Sequence, residues 1–500
     1  MKVVFASSEA LPFCKTGGLA DVAGTLPNAM AEEGAEVALF LPYYREVREA
    51  GFGPPAPRGR LRVPIGGGEV EAVLLRSELG GVSVYFVDCP RYFDRPQLYH
   101  EGGRDYEDNA ERFAFFSRAV LEGCRAAGIE PDVFHCHDWQ TGLLPVYLRT
   151  LYRDDAALSR AGTLFTVHNM AYQGVFPKAA LEAVGIPPAE LAVDRLGHFG
   201  KASTLKGGIV RSEVLNTVSP TYAREIQTAE FGMGLQDVLA GRSRDVFGVL
   251  NGLDLNAWDP ATDKSLPRRY RAGDCRDGKA ACKAVLQRES GLEVREDALL
   301  VGSVSRIDHQ KGLDLAIETL PPMLERGAQY VLIGIGDPAL ERRFSDFAGR
   351  YRGRVHYHGR FDEGFAHRVY AGSDLFLMPS RFEPCGLSQM ISMRYGTLPL
   401  GTRTGGLADT VLPHGFLADT ASPPALTAAL ADAERLFLER RAPAGDAPEN
   451  RPEGKGWPSG WEERVRGAMA MDFSWARSAR RYRELYDLAV RRRGDVLASN

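Results

Sequence analysis

The chain has 500 residues, 44% hydrophobic and 25% charged, with 61 basic residues against 65 acidic ones and a net charge of −4. At roughly 100–200 residues per domain, that length favours two large domains or three small ones. The composition excludes a disordered, collagenous or coiled-coil chain. No apolar run reaches a membrane span, and the balanced charge gives no footprint for nucleic acid.

Residues 3–6 form a short apolar run that reads as a buried first strand, too short for the core of a signal peptide. Behind it Leu19, Val22, Ala23, Leu26 and Met30 recur at three- and four-residue steps, one apolar helix face. Further strand candidates fall at 37–41, 82–87, 133–137, 164–167 and 215–218. A second series falls at 299–304, 330–333, 355–357, 375–378 and 398–400. Helical stretches separate most of them, which predicts parallel sheets covered on both faces, in two doubly wound domains. The break is expected after residue 254, in a charged, irregular stretch from about 257 to 296. Residues 441–460 are rich in Pro, Gly and charge and read as a flexible surface loop. A helical pattern returns from 474 to about 493, with Tyr482, Leu485, Tyr486 and Leu488. The seven cysteines are scattered without a C-x-x-C pair, a reduced set that points to the cytoplasm.

One hexapeptide occurs twice. Thr16-Gly-Gly-Leu-Ala-Asp21 recurs as Thr404-Gly-Gly-Leu-Ala-Asp409, preceded by Lys15 and Arg403. A Gly-Gly turn entering a helix exposes backbone N–H groups to which a phosphate can come close, and a preceding cation adds charge. A tight strand–helix turn is the plainer reading of a lone Gly-Gly pair. Arg306-Ile-Asp-His-Gln-Lys311-Gly312 follows the first strand of the second half, where ligands of doubly wound sheets bind. Arg306 and Lys311 converge there on one anion, or are two solvated charges. Lysine supplies only ten of the 61 basic residues, so each one is worth locating.

His135-Cys-His-Asp138 ends another strand, with both histidines on one face. It lacks the spaced third group of a metal site, and Asp138 at the strand end is the better candidate for a polar substrate contact. His168 and Asn169 end the next strand, as contacts or as turn caps. Glu383 lies in Pro379-Ser-Arg-Phe-Glu383-Pro-Cys-Gly386, after the strand at 375–378.

The chain contains no D-x-D, H-E-x-x-H or G-x-S-x-G, so neither a metal-dependent sugar-nucleotide site nor a serine nucleophile is expected. Gly334-Ile-Gly-Asp-Pro-Ala339 matches a dinucleotide fingerprint, but no acid follows about 20 residues on, which argues against a dehydrogenase.

Taken in order, the segments around Lys15, His137-Asp-Trp139, His168 to Gly174, Asn216 to Glu225, Arg306 to Gly312 and Pro379 to Gly386 resemble the bacterial glycogen synthases and plant starch synthases. The resemblance spans nearly the whole chain. It implies the GT-B fold: an α/β protein of two Rossmann-like doubly wound domains facing across a cleft, with a C-terminal helix crossing back to the first. The implied domains are 1–254 on the acceptor side, 255–470 binding the nucleotide, and 471–500 as the returning helix. The implied reaction transfers glucose from ADP-glucose to the 4-OH of an α-1,4-glucan with retention, without metal or cofactor. The resemblance gives Asp138, His168, Arg306, Lys311 and Glu383 catalytic positions. It gives Lys15, Gly17, Gly18, Asp21, Lys283, Cys385, Gly386, Thr404, Gly405 and Gly406 substrate-binding ones. Eight positions after Glu383, where related retaining enzymes often carry a second Glu, this chain has Ile391. A sugar-nucleotide epimerase of the same fold, or a non-catalytic carbohydrate-binding protein, is the alternative; the latter would need neither phosphate loop.

Overall fold

The computed structural model describes residues 1–52, 55–440 and 460–499. All but the last residue of the expected 441–460 loop therefore lies outside the described residues. The chain divides into two compact units, Met1–Gly252 with Trp475–Asn500, and Leu253–Ser474. No helix among the described residues is long and apolar enough to cross a membrane.

The first unit is built on a nine-stranded sheet. Its spatial order is Val246–Gly248, Val214–Thr217, Gly162–Val167, Val133–His137, Lys2–Ala6, Glu36–Pro42, Val82–Asp88, Gly68–Leu79 and Ala56–Ile65. The first seven run parallel and the last two fold back antiparallel. Runs such as Val3–Ala6 are buried throughout, as a strand covered on both faces must be. The helix Gly18–Glu32 buries Leu19, Val22, Ala23, Leu26 and Met30, the stripe read from the sequence. From the central strand Lys2–Ala6 the chain steps outward to one side. It returns through the helix Asn109–Ala127 to Val133–His137 on the other side. The boundary between those two strands is a topological switch point.

The second unit carries a six-stranded, all-parallel sheet. Its order is Val355–His358, Gln329–Ile333, Leu300–Val304, Leu375–Met378, Leu398–Thr402 and Phe416–Ala418. Its switch point falls between Leu300–Val304 and Leu375–Met378.

Two expectations change. The stretch 257–296 is not irregular throughout: Cys275–Glu289 is a helix that buries Cys275, Gly278, Cys282, Lys283 and Leu286 on one side. Its charge load hides that stripe in the sequence. The antiparallel pair Ala56–Ile65 and Gly68–Leu79 had no counterpart among the expected strands. In Ala56–Ile65 only the alternate residues Leu61, Val63 and Ile65 are buried, and Gly68–Leu79 buries only Ala72, Leu74 and Leu75, so neither strand is buried along its length.

The helix Trp475–Ser499 packs on the first unit's sheet. It lies so close to Gly162 that a Cβ there would stand 2.6 Å from the backbone carbon of Ala489. Valine is otherwise favoured in a strand. Gly162→Val is expected to lower stability by about 1–3 kcal/mol through overpacking, despite that preference. Thermal unfolding checks this, and an unchanged Tm would contradict the close contact.

Candidate active site

In the first unit, the strand Lys2–Ala6 runs into Ser7, Ser8 and Glu9, all buried. Glu9 was missed in the sequence and organises the first Gly-Gly loop. Its carboxylate accepts from the Thr16 amide (2.5 Å), the Thr16 hydroxyl (2.6 Å), the Gly17 amide (3.2 Å) and the Tyr99 hydroxyl (2.7 Å). The protein's own anion thus takes the Thr16 and Gly17 N–H groups expected to cradle a phosphate. Its place directly after the first strand was the available signal. Gly17 and Gly18 still border open space, with nothing within 4 Å of an added Cβ. Lys15 is half-exposed and pairs with Asp21 at 2.8 Å. Burial pushes the Asp21 carboxyl up, against the pull of Lys15.

Across the switch point, Asp138 follows Val133–His137 and sits in the left-handed region at φ 56°. For a non-glycine residue that conformation costs energy and marks a site to inspect. It turns the carboxylate toward the next strand, where Oδ1 accepts the His168 amide at 2.7 Å. Burial pushes the Asp138 carboxyl up to about 7, although the amides of His168 and Asn169 pull it down. His168 is buried at the end of Gly162–Val167, and burial lowers its pKa to about 3. Its Nε2 lies 3.0 Å from His137 Nδ1. The structure therefore brings Asp138 and His168 together.

In the second unit, three loops meet at the C-terminal ends of adjacent strands. Glu383 is buried, and Oε2 accepts from Lys311 Nζ at 2.7 Å and Ser380 Oγ at 3.1 Å. Arg381 ties the same two loops from outside. Its guanidinium grips Asp314 through two bonds of 2.7 and 2.8 Å and reaches the His309 carbonyl at 3.0 Å. Gly312, at φ 61°, is pressed against the Pro379 carbonyl, 2.1 Å from where a Cβ would stand. Arg306 is half-exposed, with Nη2 3.4 Å from Asp308 Oδ2; Asp308 Oδ1 also accepts the Lys311 amide at 3.0 Å.

The second hexapeptide behaves differently from the first. The Gly406 amide donates to the Glu383 carbonyl at 3.0 Å. Added Cβ atoms on Gly405 and Gly406 would stand 2.0 Å from the carbonyls of Glu383 and Cys385. These glycines permit backbone packing, and with Thr404 they join the loop of Glu383, Cys385 and Gly386. The side chains of Cys385 and Thr404 are buried, and Gly386 turns the chain at φ 72°.

Lys283 does not join this group. Its ammonium is buried against the carbonyls of Glu296 (3.1 Å) and Ala298 (2.5 Å) and Asp374 Oδ2 (2.6 Å). Those partners precede Leu300–Val304 and Leu375–Met378, at the opposite ends of the strands from Arg306 and Glu383. At about 3.3 Å per residue, the strand length separates them.

A family model described as starch synthase catalytic domain matches residues 2–241, and one for glycosyl transferases group 1 matches residues 297–434. A glycogen synthase of Anaeromyxobacter dehalogenans is 47% identical over 97% of this chain and 99% of its own. One from Geotalea daltonii is 42% identical over 99% of this chain and 100% of its own. Among solved structures, the catalytic domain of starch synthase IV from Arabidopsis thaliana, bound to ADP and acarbose, matches with a TM-score of 0.85. It is 33% identical and covers 98% of this chain and 99% of that one. With such identity over nearly its whole length, the chain belongs to the bacterial glycogen synthase and plant starch synthase family, glycosyltransferases of the GT-B fold.

Proposed function

We propose that this chain is a glycogen synthase that transfers glucose from ADP-glucose to the non-reducing 4-OH of an α-1,4-glucan, with retention of configuration. The observation that carries this reading is the Lys311–Glu383 pair beside Arg306, at the C-terminal ends of the strands that flank the second unit's switch point. The ADP held by the Arabidopsis relative supports an adenine nucleotide as the donor. The second unit takes the nucleotide and the first takes the acceptor side.

Departure of the diphosphate places negative charge on the leaving oxygens and positive character on the sugar carbon. Arg306 and Lys311 supply the cations that offset the former. Lys311 is already held by a buried carboxylate, so little of its reorganisation remains at the moment of reaction. Glu383 therefore both orients Lys311 and keeps negative charge beside the sugar. Without a facing carboxylate pair, retention is best served by a front-face substitution in which the leaving phosphate helps deprotonate the incoming hydroxyl. In the first unit Asp138 holds the His168 backbone, and Lys15 heads the loop that borders open space.

Arg306→Ala and Lys311→Ala are each expected to lower kcat by about 10²–10³, the loss typical of one charge-stabilising group. The double variant should fall by less than the product. The two singles should differ in stability. Arg306 is half-exposed, so its loss should leave Tm unchanged. Lys311→Ala leaves a buried Glu383 uncompensated, a change that costs about 3–5 kcal/mol. Near-normal kcat in both singles would overturn the catalytic role of the pair.

Lys283→Met should show the reverse pattern: a lower Tm from stranding Asp374, with donor KM and kcat of the folded enzyme unchanged. A raised donor KM at normal Tm would return Lys283 to the substrate.

Without a D-x-D pair and with cations in its place, turnover should survive exhaustive chelation. Loss of activity that magnesium restores would sink that expectation.

A further inference from the structure

Three histidines of the first unit form a buried row: His135 and His137 with ring centroids 4.1 Å apart, and His137 and His168 at 5.3 Å. Burial holds all three rings neutral. A neutral imidazole has one N–H and one bare nitrogen, so each contact in the row has a definite direction.

The direction at His135 follows from its neighbours. Asn216 Nδ2 donates to the Tyr482 hydroxyl (3.1 Å) and faces the Thr217 carbonyl (3.5 Å), so Asn216 Oδ1 is the acceptor on its other side. Thr166 donates its single hydroxyl proton to that oxygen. Its Oγ1 can then only accept from His135 Nε2, 2.6 Å away. His135 therefore carries its hydrogen on Nε2, and its Nδ1 accepts from the Tyr486 hydroxyl at 2.9 Å.

The contact between His137 Nδ1 and His168 Nε2 leaves two choices. If His168 donates, the hydrogen of His137 must sit on Nε2. That atom is buried with no partner among the described residues. Its ring is stacked at 22° on Phe5, so an N–H in the ring plane does not point at the Phe5 face. A buried N–H without an acceptor is the rarer and costlier arrangement. If His137 donates from Nδ1, the partnerless atom is only a bare nitrogen.

We propose that His137 is a positioning residue that donates its Nδ1–H to His168 Nε2 and so fixes His168 as the Nδ1–H tautomer, a hydrogen-bond donor toward an oxygen of the transferred sugar. The last clause rests on the functional reading above and on the catalytic position that the family resemblance gives His168; the tautomer rests on neither. His168 then meets the sugar with a donor in every turnover, rather than as a mixture of donor and acceptor forms.

Ring-nitrogen NMR of the full-length protein labelled with ¹⁵N-histidine tests the device directly. Loss of signals in His137→Asn and His168→Gln makes the assignments. The expected result is Nδ1–H on His137 and His168 and Nε2–H on His135; Nε2–H on His168 overturns the proposal. Kinetics test the consequence. His137→Asn keeps an amide N–H near the Nδ1 position and should retain kcat. His137→Leu has no donor and should lower kcat about tenfold at unchanged donor KM, the loss of roughly one hydrogen bond. Should His137→Leu fail to fold, the wild-type spectrum and the Asn variant still decide. The expected tautomer with kcat unchanged in a folded His137→Leu would overturn the role of His168 toward the sugar. Equal losses in the Asn and Leu variants would overturn the donor role of His137.

Discussion

Parallel strands deliver their chains to one edge of a sheet, and the next helix must start there. In the first unit the neighbours Lys2–Ala6 and Val133–His137 hand their chains in opposite directions, so the residues that follow them are left uncovered by either crossover. Glu9 and Asp138 stand there. In the second unit the same reversal occurs between Leu300–Val304 and Leu375–Met378, and the loops of Arg306–Lys311 and Glu383 fill that position. The places of the candidate site residues thus follow from strand order, and their side-chain contacts from what each loop carries.

Burial then decides what those groups can do. Glu383 and Glu9 are both buried carboxylates at strand ends, and each is stabilised differently. Glu383 has a lysine, the cation that the proposed reaction would share with a phosphate. Glu9 has two amides and two hydroxyls, which makes it a structural anion occupying the loop's donors. This difference separates the two copies of Thr-Gly-Gly-Leu-Ala-Asp. One is braced by a side-chain carboxylate and opens to solvent at its glycines. The other is braced by main-chain carbonyls that its glycines permit to approach. Identical local sequence does not give an identical turn: Gly17 is extended at φ −155°, while its counterpart Gly405 is left-handed at φ 42° and already begins its helix, so the neighbouring loop sets the conformation of each copy.

Run length and position made much of this legible. The eleven expected strands all exist, because nearly all are runs buried along their length (the edge strand Val355–His358 is only partly buried), and their ends located Asp138, His168, Arg306, Lys311 and Glu383. The half-covered hairpin at 56–79 and the charged helix Cys275–Glu289 escaped, since neither presents such a run. Lys283 shows the harder limit. Scarcity of lysine and family position marked it, yet a helix packed across a sheet reaches either edge depending on its register, which spacing does not reveal. Glu9 escaped for a related reason: a carboxylate is told apart as ligand or brace only by the donors that the fold turns toward it.

The returning helix Trp475–Ser499 supplies hydrogen-bond partners to the buried histidine row as well as covering the sheet. Strand periodicity puts His135 and His137 on one face of Val133–His137, and a row of neutral imidazoles inside a core requires hydrogen-bond partners of defined sense. Neighbouring strands supply Thr166 and Asn216. The remaining partners, Tyr482 and Tyr486, come from the helix one turn apart, spaced to meet Asn216 and His135 together. Phenols suit this place because each buries a large ring while presenting one hydroxyl that can donate or accept. A helix that only covered the sheet would do so with leucines. One that carries two tyrosines onto the strand beside Asp138 ties the hydrogen-bond directions beneath His168 to the last residues of the chain.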